Sequence, residues 1–199
     1  MNPCILLQGP LTYQDYLISH YNPSVTLFSS WKEDGTNKFK NKLELTKPTN
    51  PGFGNSNLQF YGSRAGCLKA KELGFDYVLK VRSDLIISNY ELLLKTIDKE
   101  NISTLAYHNY DGGYIVDYVL GGPIDLMSSI WDHDTSNDHT FSERSLMNRI
   151  AHHSNKVTKF NYLIPLMNDL KIICYSLKWK KDLVEDFLQD KLFTYDKNI

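Results

Sequence analysis

The chain has 199 residues, of which 42% are apolar and 23% charged, and a formal net charge of −1. That length fits one domain of ordinary size, and near-neutrality supplies no bulk field to draw in nucleic acid or an anionic membrane, so neither is an expected partner. Cys4, Cys67 and Cys174 lie far apart in no metal-ligand spacing, which argues against a disulfide framework or structural zinc; with no basic leader, and no window approaching about 18 apolar residues, the expectation is a cytoplasmic protein without signal peptide or integral membrane segment.

In chain order, Cys4-Ile5-Leu6-Leu7 is a short apolar run that stops at Gln8-Gly9-Pro10, the signature of a buried strand entering a loop. After Thr12, Tyr13, Tyr16 and Leu17 fall at helical spacing up to Tyr21-Asn22-Pro23, and Val25 to Phe28 reads as a second strand ending at Ser29-Ser30. The polar stretch from Trp31 to Phe53 has room for one short strand near Leu43 to Leu45. A long helical pattern follows through Leu58, Tyr61, Ala65 and Leu68, with Gly74 where a helix C′ residue belongs. Tyr77 to Val81 is an apolar strand that turns abruptly polar at Arg82-Ser83-Asp84.

Beyond it the pattern predicts a helix from about Asn89 to Lys99, strands at Ser103 to His108 and Tyr114 to Leu120, and a loop interruption at Gly121-Gly122-Pro123. A helix from about Ile124 to Trp131, a polar loop from Asp132 to Thr140 and a helix beginning near Ser142 come next. Strands at Lys156 to Tyr162 and Lys171 to Tyr175 and a charged helix from Asp182 to Leu192 complete the chain. Strands alternating with helices imply an α/β fold whose mostly parallel sheet is covered on both faces, and such sheets bind ligands beyond the carboxyl ends of their strands.

A carboxylate at the carboxyl end of a parallel strand faces that crevice, and a hard oxygen ligand there can hold a divalent cation against a diphosphate. Asp84 is therefore the candidate metal ligand, against the plainer alternative that it caps the next turn. Arg82 either pairs with phosphate oxygens or holds Asp84 in place, since both roles use the same planar donor fork. His133, Asp134, Asp138 and His139 form a metal-like cluster, but Thr135, Ser136 and Asn137 among them are loop composition and the spacing matches no usual zinc pattern.

The segments ILLQGP (5–10), LFSSW (27–31), GNSNLQFYGSRAG (54–66) and YVLKVRSD (77–84) together resemble the WavE-type polysaccharide and lipopolysaccharide glycosyltransferases and, more distantly, GT-A glycosyltransferases at large; the likeness spans roughly residues 4 to 150. It implies a single Rossmann-like GT-A domain over 1–199, with a nucleotide-binding half over about 1–88 and an acceptor-side half over about 89–199. The implied activity is transfer of a hexosyl or deoxyhexosyl group from a UDP- or GDP-sugar to a glycan or polysaccharide hydroxyl, with inversion and with Mn²⁺ or Mg²⁺. The Asp-x-Asp metal motif of those enzymes is Arg82-Ser83-Asp84 here, so only Asp84 carries over, and no histidine follows His153 to complete a metal site near the C-terminus.

The same resemblance implies that Gln8, Gly9, Pro10, Ser29, Ser30, Trp31, Asn57, Arg64, Arg82 and Ser83 face the donor. It sets Asp117, Tyr118, Gly121 and Gly122 on the acceptor side, where glycines admit a sugar ring close to backbone. Glu143, at a helix start, is the expected general base, with Asp117 as second candidate; an acidic residue in a first helical turn also has a purely electrostatic explanation. Two rivals stand beside this reading: an inactive nucleotide- or carbohydrate-binding module, and a sugar nucleotidyltransferase, which ordinarily needs a glycine-rich basic loop that Gln8-Gly9-Pro10-Leu11-Thr12 lacks.

Overall fold

The computed structural model describes residues 2–87, 90–104, 107–108, 114–115, 117–152, 161–162 and 172–174. Its elements in chain order are β1 (Pro3–Gln8), α1 (Gln14–His20), β2 (Thr26–Trp31), β3 (Lys42–Leu45), α2 (Ser56–Glu72), β4 (Tyr77–Arg82), β5 (Leu85–Ile87) and α3 (Tyr90–Thr96), followed by β6 (Ser103–Thr104), β7 (Tyr107–His108), β8 (Tyr114–Ile115), β9 (Val119–Pro123), α4 (Ile124–Ile130), α5 (Ser142–His152), β10 (Asn161–Tyr162) and β11 (Ile172–Cys174). The fold is α/β, with a mostly parallel sheet flanked by helices, an arrangement compatible with a Rossmann-like fold.

The main sheet runs β10-β6-β9-β4-β1-β2-β3. β1 pairs in parallel with β2 and β4, and β2 with β3, whereas β9 is antiparallel to both of its neighbours, β4 and β6. Register decides where chemistry gathers: Gln8 lies opposite both Ser29 and Arg82, so the carboxyl ends of β1, β2 and β4 share one edge. Because β9 runs the other way, its beginning, just after Asp117-Tyr118, arrives at that same edge, and the Arg82 N–H donates to the Tyr118 carbonyl at 3.0 Å.

Alternation along the strands splits the core in two. Ile5, Leu7, Leu79 and Val81 point to the face covered by Leu17, Tyr21, Leu93 and Ile97 of α1, α3 and their ends. Cys4, Leu6, Val78 and Leu120 point to the opposite face, beneath Phe60, Cys67 and Ala70 of α2, Met127 and Ile130 of α4 with Trp131, and Leu146 and Ile150 of α5. On that second face Gly62 and Gly66, four residues apart on α2, bring the helix close. A Cβ on Gly66 would stand 2.5 Å from Leu6 Cδ1, and one on Gly62 would stand 2.9 Å from Gln8 Nε2. The close approach carries the neighbouring Gln59 down to the sheet edge.

Most expected elements form within a few residues of their sequence bounds, including the short strand near Leu43 to Leu45. Two differ. Gly121 and Gly122 are not a loop but the middle of β9, paired with Leu79 and Val78; with no side chains of their own they admit Ile97 and Ile102 against the strand. The run Leu85 to Ile87, left without structure by the sequence pattern, is a strand whose antiparallel partner, β11, lies far along the chain, out of reach of any local signal. The expected helix from Asp182 to Leu192 and residue His153 lie outside the described residues. Among the described residues no helix is long and apolar enough to cross a membrane.

Candidate active site

The shared strand edge opens into a cleft of about 320 Å³. One wall is made of strand ends: Gln8-Gly9-Pro10 after β1, Trp31 at the end of β2, and Arg82 and Asp84 after β4. The other is made of Asp117 before β9, Gln59 on α2 and Ser142-Glu143 at the start of α5, with Phe141 just ahead of them. Asp84, Asp117 and Glu143, singled out from sequence, thus line one cavity, although 59 residues separate the first from the last.

Arg82 and Asp84 form a bidentate pair, Nε to Oδ1 at 3.0 Å and Nη2 to Oδ2 at 2.5 Å. The geometry realises the positioning alternative for Arg82, a fork-to-fork contact of the strong, charge-assisted kind. Burial works against the guanidinium charge, but Asp84 beside it more than offsets this and holds the Arg82 pKa above its ordinary value. The guanidinium carbon also lies 5.0 Å from the centre of the Tyr118 ring, a cation–π contact that gives Tyr118 its place at the site.

Asp117 is 1% exposed. Its Oδ2 accepts from Gln59 Nε2 and from Ser142 Oγ, the latter at 2.6 Å, while its Oδ1 is buried with no hydrogen-bond partner among the described residues. Behind it Lys80, fully buried, donates from Nζ to the Asp117 carbonyl at 2.7 Å and lies 5.2 Å from the Trp131 ring centre. Burial pulls the Lys80 pKa down to about 8, against the opposing pull of Asp117. Ser142 Oγ also sits 3.2 Å from Glu143 Oε2. A hydroxyl has one proton to give, so Ser142 serves the closer Asp117 and leaves Glu143 loosely held. Burial first, and the negative charge of Asp117 second, raise the Glu143 pKa above the usual carboxylate range. A carboxyl group raised in pKa at a cleft wall is a stronger base, once ionised, than an ordinary carboxylate, which suits it to proton abstraction.

The other expected site residues divide sharply. Gln8, Gly9, Pro10 and Trp31 line the cleft, although Trp31 is 4% exposed and its ring lies parallel to Tyr61 with centres 6.3 Å apart. Gly9 has φ 137°, and a Cβ there would meet Ser83 Oγ at 2.5 Å, so glycine is needed for the fit of two loops as much as for any ligand. Ser29, Ser30 and Ser83 are buried and engaged inside the protein: Ser29 Oγ donates to the Gly62 carbonyl, Ser30 Oγ accepts from Asn37, and Ser83 Oγ donates to the Pro10 carbonyl. These three serines are scaffold. Asn57 is also spent structurally, donating to the Asn50 carbonyl and to Ser136 Oγ, which ties the loop around 132–140 to the start of α2. Arg64 is exposed and pairs with Asp132 outside the cleft. Gly121 and Gly122, inside β9, do not line it either.

Three participants escaped the sequence reading in these roles. Gln59 shares a helical face with Gly62 and Gly66 by its three- and seven-residue spacing, a signal present in the sequence. Lys80 stands out as a lone charge inside an apolar strand, which the strand period places on the buried α2 side. Ser142 carries no mark beyond its place at a helix start. His133 Nε2 and Asp138 Oδ2 stand 3.0 Å apart in a separate surface depression of about 510 Å³, and Asp138 also accepts from Ser145 Oγ. Among the described residues no group of three or more His, Cys, Asp or Glu side chains is arranged to hold a metal ion. No family model matches this chain, and no curated protein matches it.

Proposed function

We propose that the protein is a glycosyltransferase of GT-A type that moves a sugar from a nucleoside-diphosphate donor to a hydroxyl of a glycan or polysaccharide acceptor. The observation that carries the reading is the convergence, on one strand-end cleft, of a guanidinium, an unsatisfied buried carboxylate oxygen and a carboxyl group of raised pKa. On this reading the nucleotide lies along Gln8 to Pro10 and Trp31, with its diphosphate toward Arg82. A hydroxyl of the acceptor next to the attacking one donates toward Asp117 Oδ1, and Glu143 takes the proton of the attacking hydroxyl as its oxygen reaches the anomeric carbon. The bond from that carbon to the diphosphate oxygen breaks in the same displacement, which inverts the centre. Arg82 faces the charge that grows on the departing diphosphate, a fixed donor that needs no reorganisation. Asp117, held by Gln59 and Ser142, positions the acceptor through that neighbouring hydroxyl, and Glu143 is the base.

The expected Mn²⁺ or Mg²⁺ fits this donor set poorly, because Arg82 already engages both oxygens of Asp84 and a cation would have to compete with a guanidinium for them. No step of the proposed mechanism is routed through a metal. Cytoplasmic work belongs to the same proposal, supported by Cys4 and Cys67, which are free thiols buried in the core.

The test is release of UDP or GDP from a panel of nucleotide sugars, with and without added Mn²⁺, in the wild-type protein and in Glu143→Gln. Release that the substitution abolishes supports transfer chemistry. Calorimetric binding of UDP or GDP without release from any donor identifies a binding module instead, and neither binding nor release overturns the nucleotide-sugar reading altogether.

A further inference from the structure

Phe141 is the most exposed large apolar side chain of the described residues, at 61%, and Phe53 beside it is 48% exposed. Their rings meet edge to face, with centres 4.8 Å apart and planes at 70°. The pair is braced by backbone. Gly54 takes a φ of 57°, and a Cβ built on it would come within 3.0 Å of the Phe141 ring, so the glycine lets the ring lie directly on the chain. Two aromatic rings held open to water by a left-handed turn are costly for a surface that nothing visits.

Their position supplies the chemistry of the visitor. Phe141 lines the same cleft as Asp117 and Glu143, and it is joined to Ser142, whose hydroxyl is 2.6 Å from Asp117 Oδ2. The cleft therefore combines an apolar ring face with a buried carboxylate in its wall, one oxygen of which lacks a donor among the described residues. A ligand that satisfies both needs one flat face of C–H groups and hydroxyls around its rim. A pyranose ring has both; an apolar peptide segment would leave the Asp117 oxygen unpaired, at the cost that attends any such buried group.

We propose that Phe141, braced by Phe53, is the stacking platform of an acceptor subsite that takes a pyranose ring and directs one of its hydroxyls to Asp117 Oδ1. The proposal rests on the glycosyl-transfer reading and names the ligand class of its acceptor side. It makes Phe141 a specificity-determining residue whose contribution falls on acceptor binding.

The experiment is saturation-transfer NMR of a panel of methyl pyranosides with the full chain, with calorimetry of UDP and GDP run alongside. Irradiating the aromatic protons is expected to mark the C–H protons of one ring face in at least one pyranoside. Phe141→Ala should weaken that binding by about tenfold, the size of one lost aromatic contact, and Phe141→Trp should restore it. Asp117→Asn should change which hydroxyl pattern is preferred within the panel. Undiminished binding by Phe141→Ala overturns the platform. Nucleotide binding with no pyranoside bound at all overturns the subsite while leaving the donor side of the transferase standing. Pyranoside binding with no affinity for either nucleotide does the reverse. Sedimentation that changes from dimer to monomer in Phe141→Ala would assign the aromatic pair to self-association and also overturn the subsite.

Discussion

On the strand-end wall of the cleft the polar groups have already found each other: Arg82 holds Asp84 through two bonds, and Ser83 closes onto the Pro10 carbonyl. On the wall formed by Asp117, Ser142 and Glu143 they have not. There one carboxylate oxygen is buried without a donor among the described residues, and a second carboxyl group, raised in pKa, lies beside the single serine hydroxyl that serves the first. The first wall is a rigid frame whose charge is balanced internally. The second stores unsatisfied hydrogen-bonding capacity, which a ligand can relieve. A fixed shape for a ligand to lie against suits the frame, and proton transfer suits the other side.

The sharpest way to break this contrast is Glu143→Gln. Loss of a positioned general base should slow transfer by about 100- to 10,000-fold, and the wild-type rate should climb with pH above the ordinary carboxylate range while the variant's does not. Since burial and Asp117 raise this carboxyl group's pKa, the fold disfavours its ionised form, and its contribution to stability falls as pH rises from the ordinary value through the raised one. Glu143→Gln should therefore be no less stable than wild type at neutral pH, as urea unfolding would read. A destabilised variant would place Glu143 among the structural groups.

Next in size, Arg82→Ala leaves Asp84 buried without its partner and should cost about 3 kcal/mol. Asp84→Ala made in the Arg82→Ala background should recover part of that loss in urea titrations. If the double substitution is no more stable than Arg82→Ala alone, the pair is not the frame described here. Lys80→Met probes the boundary between the walls. With the lysine pKa lowered from 10.5 to about 8 in the folded protein, the unfolded chain binds the extra proton between those values, so wild-type stability should gain on the variant as pH rises from 8 to 10.5, by on the order of 3 kcal/mol at most. A flat difference across that window would mean that Lys80 is not confined as charged in a dry site. Smallest of all, Arg64→Ala removes an exposed ion pair with Asp132 and should change stability by less than about 1 kcal/mol. UDP affinity should stay as it is; a marked drop in calorimetry would return Arg64 to the donor wall.

Local pattern made the framework legible. The apolar runs that end at Gln8, Ser30 and Arg82 announced strands, and the polar residues after them announced the crevice, because strand period and strand ends are written in consecutive residues. Asp84 was legible for the same reason, standing just past a strand end, and Glu143 marks a helix start; Asp117 came from the resemblance alone and fell inside an expected strand that in fact begins only at Val119. What they touch was not. The engagement of Asp84 by Arg82 is a choice between two geometries of the same three residues, and only side-chain packing decides it. Ser29, Ser30 and Asn57 look like ligand-facing polar groups in sequence, but a donor or acceptor next to a strand end can as easily satisfy buried backbone as a bound molecule. Gly121 and Gly122 read as a loop because glycine is a weak strand former; packing by Ile97 and Ile102 outweighs that preference, and no local pattern announces it.

The reversed direction of β9 has one more result. Asp117 enters the cleft ahead of its strand rather than at the finish of one, so the lacing of Val119 to Pro123 onto β4 and β6 fixes it from downstream. A strand that sets out from the cleft spends its whole length tethering the residue just ahead of it, so a change that frays Val119 to Pro123 would reach the carboxylate without touching the cavity wall.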